Sequence, residues 1–219
     1  MDTLDFRFIW LGQMVCKYKV PLDVFNTLNG IYEKNFSNLP DAHKQLVGKI
    51  GKENSLFYGG VDNNKMHKHN LLPMNVHKWF ESIFRHYLKF NKIYEYKLSF
   101  NSIWINEMKA GEYNPIHIHQ GSLYTGLSSV MILKLPKDMG PEYARPDAPT
   151  NGKLQIIGSA NGQFVKSDYS PNAHERDFFI FPYDIRHCVY PHANPNAVRR
   201  TLAANMDVDY NPVSSRAAT

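Results

Sequence analysis

Apolar positions recur at helical spacing in the first part of the chain and at period two in the second. Residues 6–20 (FRFIWLGQMVCKYKV) mix aromatic and β-branched types and predict one or two strands. Pro21 then opens a predicted helix, with Val24, Leu28 and Ile31/Tyr32 on one face. A weaker helical stretch, DAHKQLVGKIGKE, is expected after Pro40, and residues 59–70 (GGVDNNKMHKHN) read as a polar loop. The clearest helix runs from Pro73 to about Phe90, where Val76, Phe80, Ile83, Phe84 and Tyr87 form one apolar stripe.

From about residue 94 onward the pattern predicts short strands: YEYKLSF, SIWINEM, NPIHIH, SSVMILKL, KLQIIGS, GQFVK, DFFIFP, HCVYPH and VRRTLAANM. Gly, Pro, Asn and Asp punctuate them at short intervals, as in a sandwich or barrel and unlike alternating βα units. Helices followed by a run of strands imply helices packed on one outer face of a β-sandwich. The expected fold is therefore mainly β with N-terminal helices. One catalytic domain is expected over residues 1–219, with a helix-rich part (1–93), a β core (94–210) and a disordered tail (211–219).

Composition changes this picture little. Hydrophobic residues make up 43% and charged residues 21%, ordinary globular usage, so a disordered chain is excluded. The formal charge of +5 invites a nucleic-acid reading, but no Lys/Arg cluster of the kind that tracks phosphates is present. Cys16 and Cys188 stand far apart with no CxxC, which excludes a disulfide framework and fits a reducing compartment. The opening segment lacks the features of a signal peptide, and no run is long enough to span a bilayer. The expectation is a soluble protein of the cytoplasm, or one carried in a particle.

Three segments of the strand-rich half carry candidate chemistry. In NPIHIH, His117 and His119 are two apart, so on a strand both imidazoles project into one space. In FFIFPYDIRH an apolar strand ends at Pro182 and His187 follows a short bend. In VRRTLAAN, alternation places Arg199, Thr201, Ala203 and Asn205 on one face and Arg200 on the other. A redox iron needs protein ligands on one side only, and these three histidines meet that need. A keto acid chelating the metal has a far carboxylate that requires a cation, and a planar Arg fork with a neighbouring hydroxyl provides it. The second HxH of the chain, His67-Lys68-His69, lies in the polar loop and is expected to be solvated.

The stretches NPIHIHQGSLYTGLSSVMILKLP and FFIFPYDIRHCVYPHANPNAVRRTLAAN resemble the 2-oxoglutarate/Fe(II) oxygenases common in tailed bacteriophages and their hosts. That family carries NPxHxHxG, a strand ending in a Lys-x-Pro-like turn, FPxxxxH and a terminal RxSxxxN. Here these correspond to His117 and His119, Lys134 to Pro136, Phe181-Pro182 with His187, and Arg199-x-Thr201 with Asn205. The segment LVGKIGKE is similar to a further family stretch. The resemblance implies a double-stranded β-helix of the jelly-roll or cupin type, Fe(II) held by His117, His119 and His187, and 2-oxoglutarate held by Arg199 and Thr201. It implies 2-oxoglutarate and O2 as cosubstrates, decarboxylation to succinate and CO2, and hydroxylation of an unidentified protein side chain or small molecule. Aligning on Asn205 makes Arg199, not Arg200, the cosubstrate arginine.

Better-known relatives carry a carboxylate where this chain has His119. A second arrangement stays open, with His119 as the first ligand and Gly121 leaving the carboxylate position vacant, as in iron halogenases. Asn106 and Asn205 are candidates to bond the cosubstrate or orient a ligand, and Trp104 to wall the pocket. Cys188 reads as packing, and His174 and His192 as exposed. The loops 59–72, 120–127 and 137–151 are expected to frame the entrance. A different class of function, a non-catalytic phage structural or accessory protein on the same sandwich, also stays open, as does oligomeric state, a homodimer included.

Overall fold

The computed structural model describes residues 12–42, 46–60, 68–159 and 162–210. In chain order these residues form β1 (Cys16–Lys19), α1 (Leu22–Asn35), β2 (Lys52–Tyr58), β3 (His69–Asn70), α2 (Met74–Phe90), β4 (Tyr96–Met108), β5 (Asn114–His117) and β6 (Gly126–Lys134). There follow β7 (Leu154–Ile157), β8 (Asp168–Tyr169), β9 (Asp177–Pro182), β10 (Arg186–Val189) and β11 (Arg199–Tyr210). A seven-stranded sheet has the order β1-β9-β6-β11-β4-β2-β3, and a four-stranded sheet the order β5-β10-β7-β8. All pairings are antiparallel. This is a double-stranded β-helix with two helices.

Alternation along the central strands sorts side chains into two cores. Leu202, Ala204, Met206 and Val208 of β11, with Ile103 and Ile105 of β4, pack against Val24, Leu28 and Tyr32 of α1 and Phe80 and Phe84 of α2. Their sequence neighbours face the second sheet. Met108, Val130, Ile132, Phe179 and Phe181 meet Leu154, Ile156, Ile185 and Val189 there. The helices thus cover one outer face of the large sheet, and the site lies between the sheets.

Both strong helices form where expected, and their apolar stripes are buried except for Ile31 and Ile83, which are part-buried against the same core. Several other elements differ. YEYKLSF and SIWINEM are one strand, because Asn101, which interrupts the apolar pattern, is a bulge: Asn205 opposes Ser102 while Met206 opposes Phe100. The described part of DAHKQLVGKIGKE is not helical. Its backbone pairs with strands instead: Ala42 N–H donates to Glu53 O (2.8 Å), and Lys49 and Tyr113 bond reciprocally. Gly48 and Gly51, each costing about 1 kcal/mol in a helix relative to Ala, favour that outcome. GQFVK is a turn, and the strand lies just beyond it as β8. The loop 59–70 contains β3, where His69 is part-buried with Nε2 2.9 Å from Ser55 Oγ. That histidine is not simply solvated; His67 lies outside the described residues, as do the first part of the strand expected over 6–20 and the tail 211–219. Among the described residues no helix is long and apolar enough to cross a membrane.

Candidate active site

His117 and His187 are direct cross-strand partners on β5 and β10. Directly opposed residues of an antiparallel pair present their side chains on the same face, and these two rings stand 4.3 Å apart between centroids. His119 does not share the strand. β5 ends at His117, and His119 is instead brought in by its N–H donating to Tyr183 O at 2.9 Å. Its Nε2 lies 3.2 Å from His187 Nε2, close to the roughly 3.0 Å between two cis ligands each about 2.1 Å from one metal. One ligand atom from each of the three residues lies within 4.8 Å of the others.

The proton positions favour ligation. His117 Nδ1 is 2.7 Å from Pro115 O and His187 Nδ1 is 3.1 Å from Ile185 O, the same local device used twice. Each Nδ1–H donates to a carbonyl two residues back, leaving Nε2 with a free lone pair. His119 Nδ1 faces the side-chain amide of Asn205, 3.2 Å from Nδ2. Turning that amide over would set Asn205 Oδ1, a buried atom without a partner, to accept Nδ1–H and free the third Nε2. Burial, reinforced by His187 and His117, holds His119 well below the ordinary imidazole range. Burial and the neighbouring His117 push His187 down to about 3, and burial lowers His117. All three rings are therefore neutral, the form a metal requires.

A column of buried polar groups leads away from the histidines along the inner faces of β4 and β11. Asn205, against His119, begins it. Register then pairs Trp104 with Ala203, Asn106 with Thr201, and Met108 with Arg199. Trp104 Nε1, Asn106 Oδ1 and Arg199 Nε are all buried without a hydrogen-bond partner, as are Asn205 Oδ1 and, near Met108, His192 Nδ1. Buried polar atoms are nearly always satisfied, so a line of orphans marks a place where something polar binds. Arg199 is 3% exposed and pairs with no carboxylate among the described residues; burial alone pushes its pKa down to about 10. A buried, unpaired guanidinium at the end of this column suits an anionic group. The residues present therefore fit both an iron ion and a dicarboxylate.

Arg200 leaves the strand on the opposite side, as alternation requires. It is not a free surface charge: it lies 3.2 Å from Glu33 Oε1 and 3.5 Å from Glu107 Oε2, over the ring of Tyr32. His192 is fully buried, not exposed, with Nε2 3.3 Å from Met108 O, whereas His174 is exposed as expected. Cys188 packs at the edge of the inner core, near Gln155. Trp104 stands against the His119 ring.

Above the histidines opens a cleft of about 330 Å3, lined by Leu46, Val47, Tyr58, Asn101, Ser102 and residues 117–122 among others. Loop 120–127 thus frames it in part. Loop 137–151 folds elsewhere: Met139 O accepts N–H bonds from Ala193 and Asn194. Ala42, Leu46 and Val47, from a stretch read as helix in the sequence, line the cleft instead. The sequence reading does not single out Asp207 or Tyr183, although Asp207 continues the alternation of 199, 201, 203 and 205.

The family described as "Putative 2OG-Fe(II) oxygenase" matches residues 102–205. No curated protein sequence matches the chain significantly. Solved structures share the fold at low identity. A prolyl-4-hydroxylase from Pseudomonas putida superposes with a TM-score of 0.51 at 11% identity, covering 91% of this chain and 93% of that one. An oxidoreductase of the 2OG-Fe(II) oxygenase family from Burkholderia pseudomallei gives 0.53 at 12%, covering 87% and 84%. A prolyl hydroxylase from Trichoplax adhaerens, in complex with a hypoxia inducible factor peptide fragment, gives 0.52 at 13%, covering 94% and 86%.

Proposed function

We propose that this chain, whose residues 102–205 match a 2OG-Fe(II) oxygenase family and whose fold such enzymes share, is a 2-oxoglutarate/Fe(II) oxygenase that hydroxylates a protein side chain, with the whole of 1–219 acting as one catalytic domain. In this reading His117, His119 and His187 hold Fe(II). Arg199 and Thr201 bind the distal carboxylate of 2-oxoglutarate, and Asn106 and Asn205 bond the cosubstrate or orient a ligand. The bound iron supplies the redox chemistry by which 2-oxoglutarate and O2 become succinate and CO2 while a substrate C–H becomes C–OH. The observation that carries the reading is the column of unpartnered polar atoms running from Asn205 to Arg199, beside three neutral histidines.

The protein's own residues supply position and dryness. Pro115 and Ile185 carbonyls fix two imidazoles through their Nδ1–H groups. Arg199 offers a planar two-point fork, and Ala203, with its small side chain, leaves room beside the sheet. Val130, Ile132, Phe181 and Ile185 cluster with Met108, the cross-strand partner of Arg199, and an apolar surround of that kind would strengthen an Arg–carboxylate attraction. The open cleft beside His119, bounded by Val47, Ile118 and Tyr58, is where a peptide side chain would enter. Prolyl hydroxylases with this fold act as the analogy for that substrate class.

Succinate formation from 2-oxoglutarate tests the reading: the anaerobically Fe(II)-loaded protein is given O2, with and without candidate peptides. Succinate that requires both iron and O2 is the expected result. Its absence, with iron bound, would favour the non-catalytic alternative.

A further inference from the structure

Asp207 is buried on the inner face of β11, and among the described residues no Lys or Arg pairs with it. Its two oxygens are each committed. Tyr183 Oη donates to Oδ1 at 3.1 Å, and the Ser122 backbone N–H donates to Oδ2 at 3.0 Å. Gly121 packs so closely that a Cβ there would overlap Asp207 Oδ1. Tyr183 holds the same segment through its backbone: His119 N–H donates to Tyr183 O at 2.9 Å and Tyr183 N–H to Gly126 O at 3.0 Å.

These bonds surround His119, the ligand candidate that no strand positions. β5 stops at His117 and β6 starts at Gly126, so the intervening residues must be fixed by something other than a ladder. We propose that Asp207, acting with Tyr183, is a positioning residue that holds the 119–122 segment so that His119 points its ring at His117 and His187. The inference rests on the three-histidine reading of the metal site. Two converging donors explain the carboxylate: an aspartate accepts on both oxygens, whereas an asparagine would turn an N–H toward one of them. The close approach explains the glycine of the HxHxG pattern.

A double-mutant cycle with Co2+ as probe tests this. Partners one step behind a ligand typically change metal affinity 10- to 100-fold. Asp207→Asn should therefore weaken Co2+ binding at least about tenfold and alter the visible Co2+ spectrum in the direction that His119→Ala does. In a His119→Ala background, Asp207→Asn should add less than about twofold, because its effect runs through His119. Equal weakening in both backgrounds, or none in either, would overturn the proposal. If Asp207→Asn does not fold, Tyr183→Phe, which removes one of the two bonds, carries the same cycle. A wild-type protein that binds no Co2+ would sink the metal-site reading itself and this proposal with it, an outcome distinct from a wild type that binds and a variant that binds equally well.

Discussion

His117 and His187 face one another across the β5–β10 pair, and each donates its Nδ1–H to the carbonyl two residues before it. Two segments far apart in sequence thus present the same imidazole nitrogen to the same point. His119 completes the group from a turn.

Metal uptake should therefore depend on all three. Wild-type protein is expected to bind about one Fe2+, Ni2+ or Zn2+ per chain, and His117→Ala or His187→Ala to abolish it. His119→Gly should lose most affinity, while His119→Asp should retain iron, since a carboxylate completes the commoner facial set. Metal content after dialysis measures each. Unchanged binding in His119→Gly would remove His119 from the site, overturn both arrangements that use it and require another third ligand.

The two adjacent arginines should separate by assay. Removing one member of a buried charge pair typically costs about 3–5 kcal/mol. Allowing for water entering the vacated space, Arg199→Ala should weaken 2-oxoglutarate binding roughly 100-fold, at about 1.4 kcal/mol per factor of ten. Arg200→Ala should change that affinity by less than about threefold. Because Arg200 is tied to Glu33, Glu107 and Tyr32, its loss should instead lower thermal stability, by about 1–2 kcal/mol. Anaerobic titration of 2-oxoglutarate and thermal melts of both variants read the two effects; an affinity loss in Arg200→Ala would reverse the facing of the strand.

Acid should destabilise the metal-free protein through its histidines. An unfolded chain takes up protons below about pH 6.5, whereas folded His187 resists until about pH 3 and His119 and His117 are also shifted down. The unfolded state then binds more protons, so stability is complete above pH 6.5 and falls as pH drops through that window, by at most about 1.4 kcal/mol per unit per group. Melts from pH 7 to pH 4 should show a steeper decline for wild type than for His187→Ala. Identical slopes would mean that His187 is not held neutral.

Two glycines should respond oppositely to alanine. A Cβ on Gly126 would run into the Tyr183 ring and the Met206 carbonyl, and overpacking of that kind costs about 1–3 kcal/mol. Gly30, inside α1, has nothing within 4 Å of an added Cβ, so Gly30→Ala should stabilise by about 0.4–1 kcal/mol. Denaturant midpoints of the two variants decide this; a stabilised Gly126→Ala would show that the Tyr183 contact yields easily.

The sequence by itself determined whatever depends on local periodicity. The stripe Val76–Phe80–Phe84–Tyr87 can bury itself only as a helix, and the alternation through β11 sends Arg199 and Arg200 to opposite sides of any sheet that holds them. The inward facing of Arg199 was legible for that reason, whereas His117 and His187 were grouped by the family pattern and not by periodicity. Tertiary structure alone decided what depends on partners distant in the chain. Residues 41–53 carry helical spacing, but Ala42 and Lys49 give their backbone groups to Glu53 and Tyr113 in strand-like pairing. His192 sits next to a turn in sequence yet is sealed beneath Met108. His119 looked like a strand residue by its spacing from His117, but the strand ends first, and Tyr183, Asn205 and the segment over Asp207 fix it instead. A two-residue interval states which face a side chain takes only while the ladder continues, and where it stops is set by the strands that pair with it.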